Sequence, residues 1–245
     1  MTTSNSIDLM IEFGLTRQEA AAYLSLLTDG NLNGYEVAKT LGISRSNAYT
    51  ALAGLVNKGA AWLIEGDVTR YAAVPGTEFC DNRLRSLARS RDRLLAALPE
   101  RKTETGSYIT IKGTHQILDR LHHLLIGVRE RVYLALHGQV LTRFLDELSG
   151  LLKRSRKIVI ITDTRTFQSN VVRKQLAGAQ MHVGTVSIDQ IRVIVDSHHV
   201  MTGELTGGEK ASCLYSDQKH LVDLFKTAMR NELRLIELGA EIEEE

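Results

Sequence analysis

The sequence predicts an α+β chain in three parts: an N-terminal winged helix-turn-helix, a linking helix and a C-terminal α/β domain. Three observations predict it. Gly34 to Pro75 reads as a short helix, a turn at Gly42, a second helix and a β-hairpin. Thr77 to Leu98 carries leucines at helical spacing with arginines around them. From Ser107 onward, short apolar runs alternate with amphipathic stretches, the pattern of strands layered with helices.

Taken in order, Ile7 to Phe13 is a short segment with one apolar face. Thr16 then caps a new helix, and Glu19 three residues on completes a capping box. Ala20, Tyr23, Leu24 and Leu27 follow on one face. Val37, Ala38 and Leu41 give the helix from Tyr35 its apolar side. Gly42 follows, where a helix commonly ends in a left-handed residue, and Ile43 is placed to plug the core between two helices. Ser44 is a good N-cap, since its hydroxyl accepts from an unpaired amide in the first turn. Ala48, Leu52, Leu55 and Val56 form the buried stripe of the second helix.

This second helix is the one a winged helix-turn-helix places in the DNA major groove. Ser44, Arg45, Ser46, Asn47, Tyr49 and Thr50 crowd its N-terminal end, mostly off the buried stripe. Arg45 suits bidentate reading of guanine and Asn47 of adenine. Ser44, Ser46, Tyr49 and Thr50 suit phosphate. In the hairpin, Trp62 to Ile64 and Thr69 to Ala72 flank the turn-forming Glu65-Gly66-Asp67, and Arg70 is a candidate for phosphate or the minor groove. The alternative for any of these charges is a solvated surface. Tyr49 and Trp62 are expected to pack rather than to stack on bases, since aromatics at such spacing usually fill cores.

Phe13-Gly14-Leu15-Thr16 with Glu19-Ala20 and Tyr23-Leu24, then Ile43 to Ser46 with Tyr49, Leu52 and Leu55, then Lys58-Gly59, then Arg70-Tyr71 with Ala73-Val74-Pro75, resembles the TrmB family of transcriptional regulators. The ordered set covers roughly the first third of the chain. The resemblance implies a dimeric winged-helix regulator. The family often has arginine where this chain has Asn47, which leaves base preference open. Leu84, Leu87, Leu94 and Leu98 give the next helix an imperfect coiled-coil seam, interrupted by Arg91. Packing on its own domain is the alternative. The resemblance and the two-fold symmetry of operators favour a dimer contact. Pro99 ends the helix, and Glu100 to Gly106 reads as a linker. The expected domains are therefore 1–75, a helix and linker over 76–106, and 107–245.

In the last of these, strands are expected at Tyr108 to Ile111, Val132 to Leu136, Ile158 to Thr162, Gln180 to Val186, Ile191 to Val195, Val200 to Glu204 and Ala211 to Tyr215. Helices are expected over Gly113 to Arg129, Val140 to Leu152 and Gln218 to Leu238. Ile191 to Gly203 looks like the core hairpin of phospholipase D-like domains, which TrmB-type regulators commonly carry. That catalytic pattern is His-x-Lys-x4-Asp. With its aspartate on Asp196, Asp189 takes the histidine position and Ile191 the lysine position. Nucleophile and phosphate clamp are both missing, so no catalytic residues are expected. What remains is a cleft for an effector, with Asp196, His198, His199 and Glu204 as candidates, or a brace for a dimer.

Composition sets bounds. Of 245 residues 43% are hydrophobic, enough to bury real cores, and the net charge of +1 argues for a small, focused DNA contact set rather than a broad basic surface. Cys80 and Cys213 make no metal pattern, and His115, His122, His123 and His137 have no strong ligand spacing, so no metal or cofactor is expected. His122 and His123 are adjacent on a helix and cannot face one site. A reduced, cytoplasmic protein with no membrane contact is the simplest expectation, since neither a secretory signal nor a spanning apolar run is evident. Longer relatives carry a further sugar-binding domain for which the chain is expected to have no room, and Glu241 to Glu245 is expected to fray. Besides a DNA-binding homodimer with a small-molecule effector, two alternatives stand: a protein-interaction adaptor that reuses the winged helix, and a phosphodiesterase-like enzyme.

Overall fold

A computed structural model describes residues 3–99 and 107–243. The chain divides into two compact units, Met1–Arg101 and Lys102–Glu245. The expected linker at 100–106 lies outside the described residues, as do Glu244 and Glu245.

The first unit runs α1 (Thr3–Glu12), α2 (Arg17–Asp29), α3 (Gly34–Leu41), α4 (Arg45–Asn57), β1 (Ala61–Ile64), β2 (Arg70–Ala73) and α5 (Gly76–Ala97). Its caps are those the residue types dictate. Thr16 and Glu19 form the capping box of α2. Asn33 and Glu36 form a second one on α3, which the sequence reading did not single out. Gly42 sits at φ 64°, ψ 31° and ends α3, and its amide donates back to Ala38 and Lys39. Ser44 Oγ accepts from Asn47 N at 3.2 Å and starts α4. One core joins Leu15, Ala20, Tyr23 and Leu26 to Val37, Ala48, Leu52, Leu55, Tyr71 and Phe79, with Ile43 and Val56 partly buried against it. Glu19 and Lys58 close the base of this unit through a 2.6 Å ion pair, in which Glu19 is 8% exposed. Burial works against the Glu19 charge, but Lys58 and the Thr16 bonds win and lower its pKa. Trp62 and Tyr49 depart from their expected packing role: they stand 49% and 48% exposed, Trp62 because the short strand β1 buries only Ala61.

The second unit runs β3 (Tyr108–Lys112), α6 (Thr114–Ile126), β4 (Arg131–Leu136), α7 (Gly138–Leu141), a 3-10 turn (Thr142–Phe144), α8 (Leu145–Lys153), β5 (Lys157–Thr162), α9 (Thr164–Phe167) and α10 (Asn170–Gln175). It continues with β6 (Gln180–Val183), β7 (Gln190–Val195), β8 (His199–Glu204), β9 (Ser212–Ser216) and α11 (Lys219–Glu243). The strands form one seven-stranded sheet in the order β3-β9-β8-β7-β4-β5-β6. The β4-β5-β6 part is parallel and the rest antiparallel.

Both faces of the sheet are covered. Val132, Leu134, Ile158, Ile160 and Val193 pack with Ile117 and Leu121 of α6 and Leu148 of α8. Ala135, Ile161, Ile194 and Val200 pack with Val222 and Met229 of α11. This two-sided burial is why Ile158 to Ile161 is continuously apolar rather than alternating. The helix expected over Val140 to Leu152 is broken at Phe144, and α11 continues into the stretch expected to fray.

Candidate nucleic-acid interface and hairpin cleft

The helix-turn-helix presents what the sequence put at the start of α4. Ala48, Ala51, Leu52 and Leu55 point into the core, while Ser44, Arg45, Ser46, Asn47, Tyr49 and Thr50 are all exposed. Their local chemistry differs. The Ser44 hydroxyl is occupied as acceptor by the cap, leaving its proton for another partner. Thr50 Oγ1 donates back to Ser46 O at 2.9 Å. The Arg45 guanidinium lies over the Tyr35 ring, 4.6 Å from its centroid, so a residue of α3 holds it in position. Sequence reading missed Tyr35. The signal was an aromatic near the N-terminus of the first helix of the motif, on the side away from Val37 and Ala38.

Arg70 stands differently from the other six candidates. Its Nη1 donates to Asn31 O at 2.8 Å and to Glu36 Oε2 at 3.2 Å. Glu36 also caps α3 by accepting from Asn33 N at 2.8 Å. Arg70 therefore ties the wing to the start of α3, with its guanidinium already engaged.

In the second unit, the β7-β8 hairpin forms as expected, with Val195 opposite His199. Its turn holds Asp196 at φ 50° and Ser197 at φ 58°, a left-handed geometry that aspartate tolerates better than most residues. The Asp196 carboxylate accepts from three successive amides, those of Arg129, Glu130 and Arg131, at 2.8–2.9 Å. Burial opposes its charge, but these three donors and His198 hold its pKa below the usual carboxylate range. Asp196 is a clamp on the loop before β4, and little of its bonding capacity is left for a ligand.

Asp196, His198 and His199 do share one cleft, of about 540 Å³, with His123, Arg129 and Glu130. His199 Nδ1 is 2.9 Å from the Tyr215 hydroxyl, and burial keeps its imidazole below the usual histidine range. Glu204 is not in this cleft. It pairs with Gln190 and Ser212 at the far end of the hairpin, because β8 carries it six residues from the turn. His122 bonds Glu147 at 2.7 Å while His123 faces the cleft, so the neighbours do point to different surroundings. Among the described residues no cluster is placed to hold a metal ion. Ile191, at the lysine position of the phospholipase D pattern, is fully buried in the sheet core. Among the described residues no helix is long and apolar enough to cross a membrane.

Residues 9–77, within the first unit, match the family model described as sugar-specific transcriptional regulator TrmB. The chain is 28% identical over 155 residues to the HTH-type sugar sensing transcriptional regulator TrmBL1 of Pyrococcus furiosus, covering 61% of this chain and 44% of that protein. The chain spans about half the length of the curated relatives it matches, 58% of one and 44% of the other. Among solved structures, the archaeal chromatin protein TrmBL2 aligns over 96% of this chain and 99% of its own, at TM-score 0.45 and 17% identity. NucT from Helicobacter pylori aligns over 53% of this chain and 96% of its own, at TM-score 0.41 and 15% identity.

Proposed function

We propose, on the match of residues 9–77 to the TrmB family model, that the chain is a sequence-specific DNA-binding transcriptional regulator, acting as a homodimer, with a non-catalytic C-terminal domain that senses an effector. One observation carries the DNA-binding part. The helix-turn-helix buries one side of α4 completely and turns six polar residues at its N-terminal end outward, with Arg45 held by Tyr35. In this reading Arg45 and Asn47 face bases, and Ser44, Ser46, Tyr49 and Thr50 face phosphates. Arg70 positions the wing and reaches phosphate only by leaving Glu36.

The dimer rests on α5. Leu84, Leu87, Leu94 and Leu98 are each about half exposed, and Phe79 is the buried residue of that helix. Two copies of the seam would bury these leucines and set two recognition helices on one two-fold site. The non-catalytic part rests on Asp189 and Ile191 standing where a phosphodiesterase needs its nucleophile and phosphate clamp.

A specific observation favours the adaptor reading: Trp62, Leu63, Ile64 and Val68 leave the wing with an exposed apolar surface. The two readings separate in a salt titration of binding to genomic DNA fragments. A regulator keeps a preferred sequence as salt rises. An adaptor shows weak binding to all sequences that fades together, and that result would refute the regulator reading.

A further inference from the structure

Besides the cleft at the hairpin turn, a second cavity lies at the opposite end of the sheet. There the parallel strands β4 and β5 finish side by side, continuing as His137-Gly138-Gln139 and Asp163-Thr164-Arg165-Thr166. Ligands of α/β sheets characteristically sit outside the carboxyl ends of parallel strands, where two loops diverge. The two loops here are locked together. Asp163 Oδ2 accepts from Gly138 N at 2.8 Å and from Thr166 Oγ1 at 2.7 Å, and Oδ1 accepts from Thr166 N at 3.0 Å. Gly138 makes the approach possible, since a Cβ there would collide with Thr166 Oγ1. His137 Nε2 lies 3.7 Å from the same carboxylate.

Around this rigid seam runs a groove of about 1050 Å³. A smaller recess of about 260 Å³ shares Gln139 and Ile188 with it. Arg165 lines the groove and Arg143 the recess. Neither guanidinium has an ion-pair or hydrogen-bond partner among the described residues. Other basic groups of this unit are engaged: Arg192 with Glu232, Arg120 over Tyr215 and Arg173 over Phe167. Beside the two arginines, groove and recess carry the polar side chains of Gln139, Thr142 and Gln168, apolar Val140 and Ile188, and two carboxylates, Asp163 in the groove and Asp189 in the recess. Asp163 makes no ion pair with either arginine among the described residues; its carboxylate takes the Gly138 and Thr166 donors of the seam.

We infer that this groove is the effector site, and that its ligand is a small polyhydroxylated anion held by Arg143 and Arg165, with its hydroxyls on Gln139, Thr142, Gln168 and Asp189. Two unpaired forks fit a phosphate or carboxylate group. Amides, a hydroxyl and a carboxylate fit alcohol groups in both senses of hydrogen bonding. The inference rests on the effector-sensing reading and moves its site from the hairpin turn to the opposite edge of the sheet.

Calorimetric titration of the full chain tests it, with glucose 6-phosphate for the phosphate class, gluconate for the carboxylate class, and glucose and inorganic phosphate as controls. Saturable binding of the first or the second is expected, which names the anion. Arg143→Ala with Arg165→Ala together should weaken it at least about tenfold, while Arg129→Ala in the hairpin cleft leaves it unchanged. The double variant should also keep the melting temperature and DNA affinity of the parent measured without ligand. No saturable binding of either anion, binding that survives the double change, or binding lost in Arg129→Ala would each overturn the assignment. DNA binding by the ligand-free parent is read separately, so failure of this site and failure of the regulator reading are told apart.

Discussion

At the scale of residues, the proposed DNA contact turns most on Arg45. It is exposed at the first turn of α4 and oriented by Tyr35. Arg45→Ala is expected to weaken specific DNA binding by roughly 1–3 kcal/mol and to relax preference at one base, measured by anisotropy on a selected duplex and its single-base variants. Tyr35→Phe should keep most of the affinity, since the ring face remains, whereas Tyr35→Ala should weaken it. Asp163 gives a prediction of a different kind. Burial would raise its pKa, but the Thr166 hydroxyl, the Gly138 and Thr166 amides and His137 hold it down at about 2, against an ordinary 3.8. A carboxyl depressed on folding stabilises the fold above its unfolded value and loses that contribution as protons bind. Acid unfolding should therefore show a component between about pH 3.8 and 2, and Asp163→Asn should remove it and lower the melting temperature at pH 7. Asp196→Ala should destabilise the second unit by about 1.5–3 kcal/mol, since three amides lose a charged acceptor. These carboxylates show where sequence reading stopped. Asp196 was legible as a candidate ligand, but its three backbone partners come from a loop 65–67 residues away. Asp163 carries no motif at all.

At the scale of elements, the caps and turns were legible because they are local. Thr16 with Glu19, Gly42 and Ser44 act within four residues of themselves, and each took its expected geometry. Long elements with a clear period were legible too, and so was β5, whose unbroken apolar run reflects helices on both faces. What escaped was short. Thr164–Phe167 and Asn170–Gln175 span too few residues to show a helical period, and they form on caps from Asp163 and Ser169. The break at Phe144 escaped for a related reason, since the apolar pattern runs through it unaltered. The α5 seam bears the element-scale prediction. Its leucines are exposed in the single chain, so Leu87→Lys with Leu94→Lys should leave the fold intact by circular dichroism. The same pair should shift the sedimenting species from dimer to monomer at micromolar concentration. A parent protein that sediments as a monomer would refute the dimer.

At the scale of the whole molecule, the division into two units with separate cores was legible in the sequence, but the groove proposed for the effector was not. Arg143, Arg165 and Gln139 look like solvated surface in one dimension, and only the fold brings Arg165 to the groove and Arg143 to the recess that meets it at Gln139. If the second unit is non-catalytic, as proposed, the purified chain should not cleave bis(p-nitrophenyl) phosphate, and robust turnover above a buffer control would contradict that. The measurement that bears most directly on the proposed role is selection of genomic fragments by the purified protein at moderate salt, with Arg45→Ala in parallel. Enrichment of one two-fold symmetric site by the parent, weakened or broadened in the variant, is the expected result. Binding of all fragments alike, or an identical enriched site in Arg45→Ala, would contradict it.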